Sequence, residues 1–443
     1  MKLALFRPGI LRLFGILALL LPVLVACGNN TETAEQPSDV PTAEIVSTPE
    51  TPDVPADAEP TEAPVPTETP VTEPEGEVAA EEPQETEYLN FGVVAHLFYT
   101  DHERALQLAQ NAGFDWIRQQ IHWKDIEDPT KPVEEWGWDQ LDIVVEATNR
   151  YGLKLLISVV RSPAAYTADG SDGLPEDPAT LGNFVEAMAL RYGDKVQAYE
   201  IWNEQNLAHE TGGRIEIEDA GRYVEILIEC YNRIKAVNPD AFVVAGAPSS
   251  TGVTAPDIAI SDMDYYRAMY SYRDGIIDGH FDVQAVHPGG SANPPDTLWP
   301  DNPSSAEGWT DHPTFYFRHI ENVRDVMVEF GMGDHNMWIT EFGWATENVT
   351  PGYEFGSQIT FEEQAEYITD AIERTYEEYP WVGNTFLWNL NFAVLWNKHD
   401  PPEPLHEQAS FGILDGDWSP RPSYLALQEL IARLKAEQGR AGE

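Results

Sequence analysis

The chain has 443 residues, with 75 Asp and Glu against 26 Lys and Arg and a formal net charge of −49. A surface that acidic repels phosphate backbones and anionic polysaccharides, which argues against nucleic-acid partners and favours neutral ones. Only two cysteines are present, Cys27 and Cys230, so no disulfide framework is expected.

The first residues read as an export signal. Lys2, Arg7 and Arg12 give a basic start, and residues 13–26 are an uncharged apolar run. The run falls short of the roughly 20 residues that span a bilayer. It ends in Leu24-Val25-Ala26-Cys27, which resembles the lipidation site of bacterial lipoproteins. Residues 1–26 are therefore expected to be a signal peptide, with Cys27 lipidated. That implies a membrane anchor and a location on the cell surface, facing outside the cytoplasm. Residues 27–87 follow as a linker rich in Pro, Thr and Glu, and 28–87 carry 17 acidic residues and no Lys or Arg. With no hydrophobic period and many prolines, the linker is expected to be a disordered, extended tether.

At Tyr88 the composition changes, and 88–443 reads as one domain, expected to be monomeric. Strand-like apolar runs occur at 89–95, 114–121, 153–160, 196–202, 241–247, 281–287, 337–342 and 384–389. Amphipathic helical patterns lie between them. One starts after Asp101, carries Ala105, Leu108, Ala109 and Ala112, and stops at Gly113. Another places Cys230 on an apolar side with Tyr223, Ile226, Leu227 and Ile234, where a core thiol is expected. A third opens with Thr360 and Glu363, a capping-box pair. A last helix carries Tyr424, Leu427, Leu430, Ile431 and Leu434. Eight alternating units predict an α/β fold, a (β/α)8 TIM barrel. An open doubly wound sheet fits less well, because no Gly-rich phosphate loop follows an early strand.

Chemistry concentrates at strand ends. Glu204 closes the fourth run in Trp202-Asn203-Glu204, and Glu341 closes the seventh in Ile339-Thr340-Glu341. A carboxylate ending an apolar strand is costly to desolvate. Two of them across a barrel mouth form the pair that glycosidic cleavage requires. Taken singly, Arg118 reads as a structural ion pair, and His287 and Trp388 as core. Their coincidence at strand ends makes them site candidates. His96 and His122 stand between site wall and structure. Trp123, Trp299, Trp309, Trp344 and Trp396 sit in expected loops, where rings suit sugar stacking. No His or Cys cluster has metal spacing, so no metal and no cofactor are expected. The acidic stretch 169–177 reads as a solvated loop more readily than as a calcium site.

Residues 89–435 resemble the retaining glycoside hydrolases of clan A, nearest the cellulase-like family five and the β-xylosidase-like family thirty-nine. The match rests on Trp202-Asn203-Glu204-Gln205-Asn206, on Ile339-Thr340-Glu341-Phe342-Gly343, and on Phe411-Gly412-Ile413-Leu414 followed by Pro420-Arg421-Pro422. It implies Glu204 as acid/base, Glu341 as nucleophile and Asn203 as a sugar hydroxyl contact. It also implies Arg118 as the cation keeping the nucleophile ionised, His287 lining the reacting subsite and Trp388 as platform. Two departures stand out. Gln205 replaces a common proline. His287-Pro288-Gly289-Gly290 lacks the aromatic that often follows the histidine, for which Tyr316 is a candidate substitute. On this reading Glu204 should be raised by burial and by Glu341, and an oligo- or polysaccharide is the partner. A transglycosylase with the same pair, or a non-catalytic carbohydrate-binding lipoprotein, are the alternatives.

Overall fold

The computed structural model of the chain describes residues 87–442. The expected signal segment, Cys27 and the linker up to residue 86 lie outside the described residues.

Strands β1 (Asn90–Val94), β2 (Trp116–His122), β3 (Lys154–Val160) and β4 (Ala198–Ile201) alternate with helices α1 (His102–Ala112), α2 (Asp139–Arg150), α3 (Pro178–Tyr192) and α4 (Asp219–Val237). The pattern repeats with β5 (Phe242–Ala245), α5 (Asp262–Ser271), β6 (Val283–Val286), α6 (His319–Glu329), β7 (Asn336–Phe342) and α7 (Phe361–Glu378). β8 (Val382–Leu387) is followed by α8 (Phe392–Asn397), α9 (Glu407–Ser410) and α10 (Pro422–Glu437). Each strand pairs with its sequence neighbour in parallel, and β8 closes onto β1. The fold is the closed eight-stranded (β/α)8 barrel, and the β1–β8 pairing rules out the open sheet.

Alternation along the strands divides the core in two. Ile117, Leu155, Ile157, Tyr199, Ile201 and Val243 face the helices. Val94, Trp116, Leu156, Ala198, Val244, Trp338 and Phe386 fill the barrel interior. Gly92 on β1 is required by this filling, since a Cβ there would lie 2.4 Å from the Phe386 ring. The same alternation that turns Trp116 and Ala198 inward turns Arg118 and Glu200 inward one step nearer the mouth.

The helices form where local signals place them. Asp101 accepts from the Arg104 N–H at the start of α1, and Gly113 ends it with φ 89°. Thr360 and Glu363 make the full reciprocal capping box of α7. Cys230 is buried on α4, and burial pushes its thiol up. Leu427, Leu430, Ile431 and Leu434 of α10 are buried, each worth about 2 kcal/mol of transfer free energy.

Candidate active site

Both carboxylates reach the barrel mouth by departing from regular strand geometry. Alternation alone would turn Glu341 outward with Met337 and Ile339. The β7–β8 pairing slips between Ile339 and Phe342, and this irregularity re-aims Glu341. On β4 the ladder ends at Ile201. Trp202 (φ 68°) and Glu204 (φ 50°) then adopt left-handed backbone, uncommon for such residues and a mark of strain held by the surroundings. The turn buries Trp202 in the outer core, where its Nε1 donates to the Glu210 carbonyl at 3.2 Å. It leaves Asn203 and Glu204 facing inward.

Arg118 is the hub. Its Nη1 donates to Glu341 Oε1 at 2.6 Å and its Nη2 to Asn203 Oδ1 at 2.6 Å. Its Nε donates to Glu200 Oε2 at 2.7 Å, and its Nη2 lies 2.6 Å from the same oxygen. His287 stands between the carboxylates. Its Nδ1 is 3.3 Å from Glu204 Oε1, and its Nε2 is 4.0 Å from Glu341 Oε1 and 3.0 Å from Thr340 Oγ1. One ligand-capable atom from each of Glu204, His287 and Glu341 falls within 4.8 Å of the other two. Among the described residues this is the only group that could hold a metal ion, and the Arg118 cation on Glu341 opposes one. The Glu204 and Glu341 side chains stay 19% and 18% exposed, so a substrate can reach both.

The protonation balance differs from the expected one. Burial pushes Glu204 up, but the hydrogen bond and charge of His287 outweigh burial and hold the carboxyl below its ordinary range. Burial pushes Glu341 up, and His287 and Arg118 offset this only in part. Burial pulls His287 down, yet the charges of Glu341 and Glu204 carry it above its ordinary range. The cause is His287. Its position beside Glu204 could not be read from spacing, and it supplies the cation that the sequence assigned to Arg118 alone.

The other candidates divide. Trp388, half-buried, closes the barrel interior from above and lies 4.8 Å from the Phe392 ring. His96 packs edge-on against Phe392 at 6.1 Å, and burial lowers it to about 4, so it is neutral at pH 7. His122 pairs with Asp125 at 3.4 Å. Trp123 is fully buried, donates to Glu127 and stacks on Tyr166, so it supports the loops rather than a sugar face. Tyr316 is also fully buried, and its hydroxyl is committed to the Thr310 carbonyl at 2.8 Å rather than to Glu341. Trp344 is core as well. Its indole occupies the space beside Gly290, where a Cβ would lie 2.2 Å away. Trp299 remains 37% exposed on the loop after β6. In the acidic loop, Asp172 pairs with Lys124 and Arg161, and Asp177 caps α3.

Two residues escaped the sequence reading. Glu200 is the buried partner of Arg118. Tyr353, on the loop after β7, packs against Phe355 and Phe411. Burial and the charges of Glu407, Glu204 and Glu341 raise its hydroxyl well above the ordinary range. Phe411 in turn lies 3.4 Å from the Cβ position of Gly343, two residues past Glu341. Tyr353 thus lies on the loop after β7, within electrostatic reach of both carboxylates, where the sequence pattern pointed to β6. A separate cavity of about 730 Å³, lined by Thr346, Thr360, Phe361, Asn397 and Arg421, includes none of the residues of the carboxylate network.

The barrel fold has counterparts among solved structures. A family 39 glycoside hydrolase from Bacteroides cellulosilyticus WH2 superposes with a TM-score of 0.53 at 19% identity, covering 80% of this chain and 66% of that one. GH5_18 from Streptomyces cattleya, solved with GlcNAc, gives 0.56 at 15% identity over 80% of this chain and 82% of that one. The chain shares the fold of these glycoside hydrolases. No protein-family model matches it. Cellodextrinase A from Ruminococcus flavefaciens is 28% identical over 143 residues, 30% of this chain and 40% of that protein's length.

Proposed function

We propose that this chain is a retaining β-glycosidase acting on a β-linked oligo- or polysaccharide. The observation that carries the reading is the carboxylate pair. Glu204 and Glu341 present oxygens within 4.8 Å of each other, and Arg118 holds Glu341 at 2.6 Å. Retaining enzymes keep their carboxyl groups about 5–5.5 Å apart, whereas inverting ones leave about 6.5–9.5 Å for a water. The short spacing favours double displacement. The likeness to glycoside hydrolase structures and to a cellodextrinase supports the same class.

In the first step Glu341 forms a bond to the anomeric carbon as the glycosidic C–O bond breaks. The leaving oxygen takes a proton from Glu204. In the second step Glu204 takes a proton from water, whose oxygen displaces Glu341 from the sugar. In the resting site His287 holds Glu204 below its ordinary range, and a sugar that excludes water pushes Glu204 up and favours its protonated form. Asn203, whose Oδ1 is fixed by Arg118, keeps its Nδ2 for a sugar hydroxyl, and Trp388 offers the ring beneath. The sequence around Cys27 also supports export and lipidation there, and on that reading the domain works at the cell surface.

Hydrolysis of a panel of aryl β-glycosides tests the reading. Glu341→Ala is expected to lose activity by at least about 10⁴-fold and to regain turnover with azide, giving an α-glycosyl azide. NMR of the wild-type reaction should show the β-anomer first. A first-formed α-anomer, or no cleavage across the panel, overturns the proposal.

A further inference from the structure

Glu200 is the least expected charge in the molecule. It sits inside the barrel on β4 at 0% exposure, four residues before Glu204. Oε2 takes both the Nε and the Nη2 of Arg118, at 2.7 and 2.6 Å. Oε1 is buried and has no hydrogen-bond partner. A carboxylate so deep is expensive, and its hydrogen bonds go to Arg118 alone.

We propose that Glu200 is a positioning residue that sets the charge of the Arg118–Glu341 pair for the two-step reaction. The proposal rests on the glycosidase reading and extends it. Arg118 carries one positive charge and faces two carboxylates. If Glu341 were its only partner, the full cation would fall on the nucleophile, making it a poorer base and a poorer attacker. Glu200 takes a share of that cation through the contacts of its Oε2 with Nε at 2.7 Å and Nη2 at 2.6 Å. The second effect comes with bond formation. When Glu341 becomes a glycosyl ester its charge is gone. Without Glu200 the ester would leave Arg118 as an uncompensated buried cation. With Glu200 the buried pair is neutral before and after. Glu200 also fixes the guanidinium edge, so that Nη1 meets Glu341 and Nη2 meets Asn203.

Glu341 is faced by Arg118 from β2, Glu204 from the turn after β4, His287 from the end of β6 and, at longer range, Tyr353 from the loop after β7. Glu200→Gln alters none of these and keeps the shape of the side chain. The test is a titration of ¹³C-labelled glutamate carboxyls by NMR in the full chain, with Glu341 assigned through Glu341→Gln. In Glu200→Gln the Glu341 resonance should titrate lower than in wild type by about one pH unit. This readout needs no turnover, so it stands apart from the test of the glycosidase reading. With an aryl glycoside the variant should also slow the first, glycosylating step by at least tenfold more than the second. An unmoved Glu341 titration, or equal loss in both steps, overturns the proposal. Should Glu200→Gln fail to fold, the double variant Glu200→Gln/Arg118→Gln decides. A folded double variant supports charge compensation, and an unfolded one assigns Glu200 to packing and refutes it.

Discussion

At the scale of single residues, His287 governs the site more than its sequence position suggested. It lies within hydrogen-bonding distance of Glu204 and 4.0 Å from Glu341. Its positive charge favours the ionised form of both carboxylates. Removing it takes away that stabilisation, so the carboxyls of the coupled pair rise together. On the proposed double displacement Glu341 must be ionised to attack, and the loss of activity on acidification then begins at higher pH. His287→Ala is expected to move the acid limb of the kcat/KM profile upward and to lower kcat/KM at the optimum by about 10²-fold. A limb that stays in place would show that His287 does not set the charge. Glu204 and Glu341 stood out because each ends an apolar strand where a carboxylate is costly, whereas Arg118 and Asn203 entered chiefly through the resemblance. Trp123 and Tyr316 were misread because a loop tryptophan and a tyrosine look alike in sequence whether they face solvent or core. Glu200 gave only one signal, an acidic residue at an inward position of an apolar strand. Tyr353 gave none, since nothing local tells where a long loop folds back.

At the scale of elements, the helix signals were the most reliable, because a cap is a local interaction between residues three apart. The capping box of α7 formed as expected, with Thr360 accepting from the Glu363 N–H at 3.1 Å. One turn later Gln364 Nε2 donates to the carbonyls of Trp344 and Ser410, while its Oε1 accepts from Ser423. The start of α7 therefore ties the loops after β7 and β8 to α10. Thr360→Ala is expected to cost about 1 kcal/mol in urea unfolding, with kcat/KM unchanged because the substrate-facing groups lie elsewhere. An unchanged midpoint would show that the box is redundant with Gln364. Strand ends were less legible. The run 281–287 shortens to Val283–Val286 and the run 384–389 becomes Val382–Leu387. Apolar composition continues past the last ladder bond, and Gly383 hides the start of β8. The two irregularities that aim Glu204 and Glu341 are invisible to periodicity, since each is defined by a partner strand or a backbone angle.

At the scale of the whole molecule, the pattern of eight alternating units was enough for the closed barrel. Closure removes every sheet edge of the barrel, and among the described residues the inner and outer apolar clusters draw on its strands and helices from Leu89 to Leu434. The acidic, proline-rich composition of the segment before it suits a tether. The two parts are thus expected to have separable jobs: catalysis in the barrel and placement in the first residues. Cys27→Ala in the full chain, expressed in a bacterium that processes lipoproteins, tests the division. The variant should leave the membrane fraction for the soluble exported fraction if lipidation at Cys27 is the anchor, as the sequence around it suggests. Its kcat/KM on an aryl β-glycoside and its urea midpoint should match those of the wild type. Retention in the membrane fraction would place the anchor in the uncleaved apolar run 13–26 instead. A lower midpoint would show that the leading segment packs on the barrel, against the separation argued from composition.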